Sequence, residues 1–145
     1  MNLRTLSPSQ VVSTLSFILL SVFVFGCGGK SEPADPEFLV KDVDPKQVSM
    51  ILEYQSEHVI VLDVRTPREF KSGHIEGAVN HDYNDPGFAD GLASIDSGKD
   101  VILHCASGGR SASALKAVEA IGVKKIYHLT GGMNAWRAAR MPIKK

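Results

Sequence analysis

Cys105 is followed by Ala106, Ser107, Gly108 and Gly109 and then by Arg110, so four small residues separate a thiol from a guanidinium. None of the four has a side chain that could fill the loop. Glycine adopts positive φ readily, which lets successive backbone N–H groups turn to one side and form a nest for an anion. A helix beginning near Ser111 would add its positive end, worth about 0.3–1 kcal/mol at an exposed site. Arg110 adds a permanent charge with several donors. Together these groups favour thiolate over thiol at Cys105 and set a nucleophilic sulfur in a cup that accepts negative charge. On the loop alone, an inert cysteine in a Gly-rich turn stays open as the bland alternative.

The surrounding pattern must place that loop. "FLVKDV" (38–43) reads as a strand, and residues 44–55 as a helix with Asp44 as N-cap and Pro45 at its first position. "HVIVLDV" (58–64) and "VILHC" (101–105) are continuous aliphatic runs, as expected of strands buried on both faces. Short elements follow the first of these: a capped helix over 66–73 ending at Gly73, a strand over 77–80 and a brief helix near 86–94. Residues 111–122 read as a helix with Ala112, Leu115, Val118 and Ile121 on one face and Gly122 as its stop. A strand over 124–129 and a helix over 132–140, ending before Pro142, complete the chain. This alternation predicts an α/β domain with a mostly parallel sheet covered by helices on both faces. In such sheets ligands gather beyond the carboxyl ends of the strands, where Cys105 lies.

Composition excludes several other chemistries. The 145 residues hold 16 Lys+Arg against 16 Asp+Glu, for a formal net charge of zero, and no polybasic run suggests a nucleic-acid partner. Two cysteines, Cys27 and Cys105, are too few for a disulfide scaffold. No Cys-x2-Cys pair or histidine cluster suggests a metal site. Nothing in the sequence demands more than a monomer.

The first thirty residues read as an address. Arg4 precedes an uncharged, mostly apolar run over 11–25, which as a helix would reach only about 22 Å. That falls short of a hydrocarbon core of about 30 Å, so a signal sequence fits better than a spanning helix. "VFGC" (24–27) resembles the lipobox of bacterial lipoproteins, which implies a signal peptide over 1–26 and lipidation of Cys27. Residues 27–37, rich in Gly, Pro and charge, would form a flexible tether to a folded domain over 38–145. The alternative is an uncleaved N-terminal anchor. Both readings put the folded part outside the inner membrane, on the periplasmic or extracytoplasmic side.

Three stretches in order, "LDVRTPREFKSGHIEGAVN" (62–80), the loop at 105–110 and "LTGGMNAWRAARMP" (129–142), resemble the rhodanese family. The first matches its Asp-x-Arg, Glu-Phe and Gly-His-Ile-x-Gly-Ala pattern at Asp63, Arg65, Glu69, Phe70, Gly73, His74, Ile75, Gly77 and Ala78. The last matches at Gly131, Gly132, Trp136 and Pro142. The resemblance implies a rhodanese-like three-layer sandwich and a sulfurtransferase without metal or cofactor. Cys105 would carry sulfane sulfur as a persulfide from a donor such as thiosulfate to a thiophilic acceptor, either a small sulfur-containing molecule or a protein thiol. The loop residues Ala106, Ser107, Gly108 and Gly109 would hold the persulfide, and Arg110 the donor's sulfonate. Asp63, Arg65, Glu69 and His74 read instead as a supporting ion-pair and turn network. His104 should point away from the Cys105 side, because side chains alternate along a strand.

Competing readings are a persulfide carrier without turnover and, on the same fold, a phosphatase or arsenate reductase. Those enzymes resemble rhodaneses but carry Cys-x5-Arg, and one residue fewer here narrows the ring of donors. The lipid anchor has its own test. Cells expressing the chain should incorporate labelled palmitate, and Cys27→Ala should abolish incorporation; an unlabelled wild-type chain would overturn lipidation.

Overall fold

A computed structural model describes residues 39–145, so the predicted signal peptide, Cys27 and the tether lie outside the described residues. Five strands form one wholly parallel sheet in the order β1-β5-β4-β2-β3: β1 (Leu39–Val43), β2 (Val59–Asp63), β3 (Val79–Asn80), β4 (Asp100–His104) and β5 (Lys125–Leu129). Between them run α1 (Pro45–Gln55), α2 (Pro67–Lys71), α3 (Phe88–Gly91) and α4 (Gly109–Glu119), and α5 (Gly132–Ala138) follows β5. The α/β sandwich with helices on both faces is the expected architecture.

Alternation along the strands divides the core in two. One face presents Leu62, Leu103, Cys105 and Ile126 to Phe88 and Leu92 and to Ala114 and Val118 of α4. The other presents Val61, Ile102, Tyr127 and Leu129 to Val48 of α1 and to Met133 and Trp136 of α5. The start of α1 is fixed as predicted: the Asp44 carboxylate accepts from the Gln47 amide, and the Gln47 side-chain oxygen accepts from the Asp44 amide, both at 2.9 Å.

One boundary differs from expectation in a way that matters for the site. Gly108, with φ of +104°, makes the turn, and α4 begins at Gly109, two residues before Ser111. Arg110 is therefore part of a helical first turn and not of the loop. The buried stripe of α4 is Ser111, Ala114 and Val118, and Ala112 faces solvent. Small side chains at 111 and 114 let the helix close on the sheet, at the cost of burying a hydroxyl that must then find partners. Phe88, at the start of α3, packs in the core against Tyr83.

The ends of β2 and β3 are tied by a buried ion pair. Arg65 donates to both Asp63 carboxylate oxygens at 2.6–3.0 Å, and its Nη2 also reaches the Gly73 carbonyl at 2.9 Å. Both residues are fully enclosed. Asn80 donates to the carbonyls of Asp63 at 2.9 Å and Arg65 at 2.7 Å, so one cluster joins two strands and the turn after α2. Asp63→Ala leaves the guanidinium unpaired in the interior and is expected to cost about 3–5 kcal/mol in a urea melt. A loss near that of a surface substitution would contradict this account.

Candidate active site

Cys105 follows the last residue of β4, the central strand, and its side chain points into the core face under α4. The thiol is free and buried. Its carbonyl and that of Ala106 are turned away from the sulfur and accept from the amides of Met133 and Asn134, each at 2.9 Å. These are first-turn amides of α5, which have no acceptor within their own helix. With the carbonyls held outward, the loop's N–H groups face inward. The Gly108 amide donates to Sγ at 3.1 Å, and the amides of Ser107 and Ser111 also bear on the sulfur.

That packing explains the Gly131-Gly132 pair. Both have positive φ, +74° and +54°. A Cβ at Gly132 would run into the Cys105 carbonyl oxygen and lie 2.9 Å from the Ala106 carbonyl. Gly109, by contrast, has open space around a would-be Cβ.

Burial pushes the Cys105 thiol pKa up, but the amide and hydroxyl of Ser111 and the amides of Ser107 and Gly108 outweigh it. The net direction is below the ordinary thiol value. The cause is a set of neutral donors. Among the side-chain contacts of the loop, the one cation is already paired: Arg110 donates from Nη1 and Nη2 to the two Glu69 carboxylate oxygens at 2.9 and 2.7 Å. Glu69 is itself held by the cap of α2, accepting from the Thr66 amide at 3.0 Å and the Thr66 hydroxyl at 2.8 Å. The Arg110 guanidinium, aided by the Thr66 donors against a modest desolvation, holds the Glu69 pKa down at about 2.

The supporting residues thus fall into two groups. Glu69 joins the site through Arg110, while Asp63 and Arg65 lie in the interior cluster. His104 is fully buried, with Nε2 3.8 Å from Asp63, and burial pushes its pKa down. Its Nδ1 lies 3.4 Å from the Cys105 carbonyl oxygen. His74 stacks on Phe70 and pairs by backbone with Lys144. Three further residues were not singled out from sequence. The Ser111 hydroxyl lies 3.6 Å from Sγ and 2.9 Å from His128 Nε2, and His128 Nδ1 lies 2.8 Å from Asp42. Alternation could have put Asp42 and His128 on one face of their strands, but only the β1–β5 register makes them neighbours.

A buried thiol in a ring of inward amides, at the carboxyl edge of a parallel sheet, defines an anion cup. The chain belongs to the rhodanese-like domain family, whose family model matches residues 44–139. It is 32% identical to the thiosulfate sulfurtransferase GlpE of Ectopseudomonas mendocina, over 68% of this chain and 85% of that one. It is 29% identical to the probable adenylyltransferase/sulfurtransferase MoeZ of Mycobacterium tuberculosis, over 98% of this chain but 36% of that protein. The chain therefore spans about a third of that longer relative. Among solved structures, a rhodanese-related protein from Thermoplasma volcanium shares the fold, with a TM-score of 0.63 at 23% identity, covering 72% of this chain and 97% of that one.

Glycine substitutions separate the roles of these residues. Gly132→Ala should cost about 2 kcal/mol or more, from left-handed strain and overlap with the loop backbone, and should lower Cys105 reactivity with it. Gly109→Ala should leave stability unchanged or raise it by about 0.4–1 kcal/mol. Thermal melts of both variants check the pair, and equal losses would refute the assigned packing.

Proposed function

We propose that this protein is a sulfurtransferase that carries sulfane sulfur as a Cys105 persulfide. The observation that carries the reading is a buried sulfur ringed by the backbone amides of Ser107, Gly108 and Ser111, which hold its pKa below the ordinary thiol value, with four residues between Cys105 and Arg110. In the loading step the Cys105 thiolate attacks the outer sulfur of thiosulfate. The new S–S bond forms as the sulfur–sulfur bond of the donor breaks, and sulfite leaves with the electron pair. In the second step a thiophilic acceptor such as cyanide or a thiolate takes the terminal sulfur and regenerates the Cys105 thiolate. Thiosulfate as donor is supported by the likeness to GlpE, a thiosulfate sulfurtransferase.

Loading moves the negative charge outward by one S–S bond, about 2 Å. The first-turn amides of α4, like those of any helix start, lack intrahelical acceptors, and that of Ser111 already bears on the sulfur. Arg110 sits in the same turn, where its pairing with Glu69 makes it a rim group that still offers donors to a sulfonate. A phosphoryl group needs donors around three peripheral oxygens, and the short loop favours the smaller sulfur. We further propose that Cys27 carries the lipid that holds this domain at the membrane, on the extracytoplasmic side.

Intact mass spectrometry after thiosulfate treatment should show a gain of about one sulfur atom that cyanide removes and Cys105→Ser abolishes. A chain that loads but does not turn over would be a carrier only. Absence of the adduct, or Cys105-dependent hydrolysis of an aryl phosphate, would sink the sulfurtransferase reading.

A further inference from the structure

Beneath the cup a chain of polar atoms runs from the sulfur to the sheet edge. Ser111 is fully buried at the start of α4, His128 is nearly so on β5, and Asp42 on the edge strand β1 is largely exposed. Asp42 and His128 are register partners across β1 and β5. From β4, the register partner of His128 is Leu103, which is uncharged, and from α4 it meets Ser111. Among the described residues Asp42 is the one charged group bonded to the His128 ring.

We propose that His128, oriented by Asp42, is a positioning residue that decides where the single hydroxyl proton of Ser111 goes, and so how firmly the Cys105 thiolate is held. The inference rests on reading Cys105 as the working nucleophile, and goes beyond it by assigning a proton-placing pair that never touches substrate.

The proton count carries the case. An ionised carboxylate can only accept, so the ring nitrogen facing Asp42, Nδ1, bears a hydrogen. In a neutral ring Nε2 is then bare and must accept from Ser111. The hydroxyl has one proton and three acceptors around it: His128 Nε2 at 2.9 Å, the Gly108 carbonyl at 3.0 Å and Sγ at 3.6 Å. With a neutral ring the proton is drawn to Nε2, and the sulfur keeps only its backbone donors. With both ring nitrogens protonated, Nε2–H donates to the serine oxygen, and the hydroxyl proton is released toward the thiolate.

Asp42→Asn breaks the rule without disturbing the core, because an amide can face either form of Nδ1. The neutral ring can then carry its hydrogen on Nε2 and release the serine proton to sulfur. The test is iodoacetamide alkylation of Cys105 in the full chain, followed by peptide mass spectrometry to separate it from Cys27. It is run at a pH where nitrogen NMR shows the His128 ring neutral and the rate still rises with pH, so that Cys105 is mostly thiol. Asp42→Asn should speed alkylation about two- to threefold when Ser111 is present, the scale of one modest hydrogen bond less the lower nucleophilicity of a better-held thiolate, and should have no effect in Ser111→Ala. A second cycle guards against misfolding of Ser111→Ala: His128→Phe should also speed alkylation, and adding Asp42→Asn to it should change nothing further. Equal acceleration with and without Ser111 would mean a through-space charge effect and overturn the proposal, as would no acceleration or a slowing. Alkylation needs no sulfur donor, so a chain that failed to form a persulfide could still pass or fail this test separately.

Discussion

Two hydrogen bonds turn an ordinary strand-to-helix connection into a site. The amides of Met133 and Asn134, at the start of α5, hold the carbonyls of Cys105 and Ala106 on the outside of the loop. A peptide unit has its N–H and C=O on opposite sides, so fixing the carbonyls outward commits the following amides to the inside. The sulfur then meets the Ser107 amide beside those of Gly108 and Ser111. This explains why the far end of the chain matters to a cysteine more than twenty residues earlier, and why the contact needs Gly132, whose missing Cβ leaves room for the carbonyls. The Trp136 indole, buried in the second core layer and bonded to the Pro142 carbonyl at 2.8 Å, keeps α5 in that position.

The charges near the cup are arranged so that none is left loose. Arg110 is answered by Glu69, and Glu69 by the Thr66 cap, so α2 and the first turn of α4 are linked across the rim. Deeper in, Asp63 answers Arg65 and leaves His104 without a hydrogen bond at Nε2. Stabilisation of the thiolate therefore falls mainly to dipoles. Backbone amides cannot be titrated away and are already pointed at the sulfur, so little reorganisation is needed when the anion forms.

Much of this was legible in the residues. The aliphatic runs at 58–64 and 101–105 and the capped helices between them carry the parallel α/β architecture, because strands buried on both faces cannot alternate in polarity. Cys105 and its small-residue loop declared an anion cup through glycine's freedom and the helix that follows. Arg110 was harder to place. Its charge was evident, but its partner Glu69 lies 41 positions earlier, and nothing local says that the pair will meet.

Ser111 shows the remaining limit. The apolar period of its helix favours Ala112, Leu115, Val118 and Ile121 as the inward face, and by that rule a serine belongs outside. The observed stripe keeps Val118 but takes Ser111 and Ala114 in place of Ala112 and Leu115, because the tight approach to the sheet needs small side chains there. A buried hydroxyl is tolerable only with partners, and those come from His128, 17 residues on, the Gly108 carbonyl and the sulfur itself. Asp42 is more distant still, 86 positions from His128, and joins only because β1 lies beside β5 at the sheet edge. Local pattern can announce a thiol and its cradle. The groups that bond to its neighbouring hydroxyl are chosen by strand order, which no short window of sequence contains.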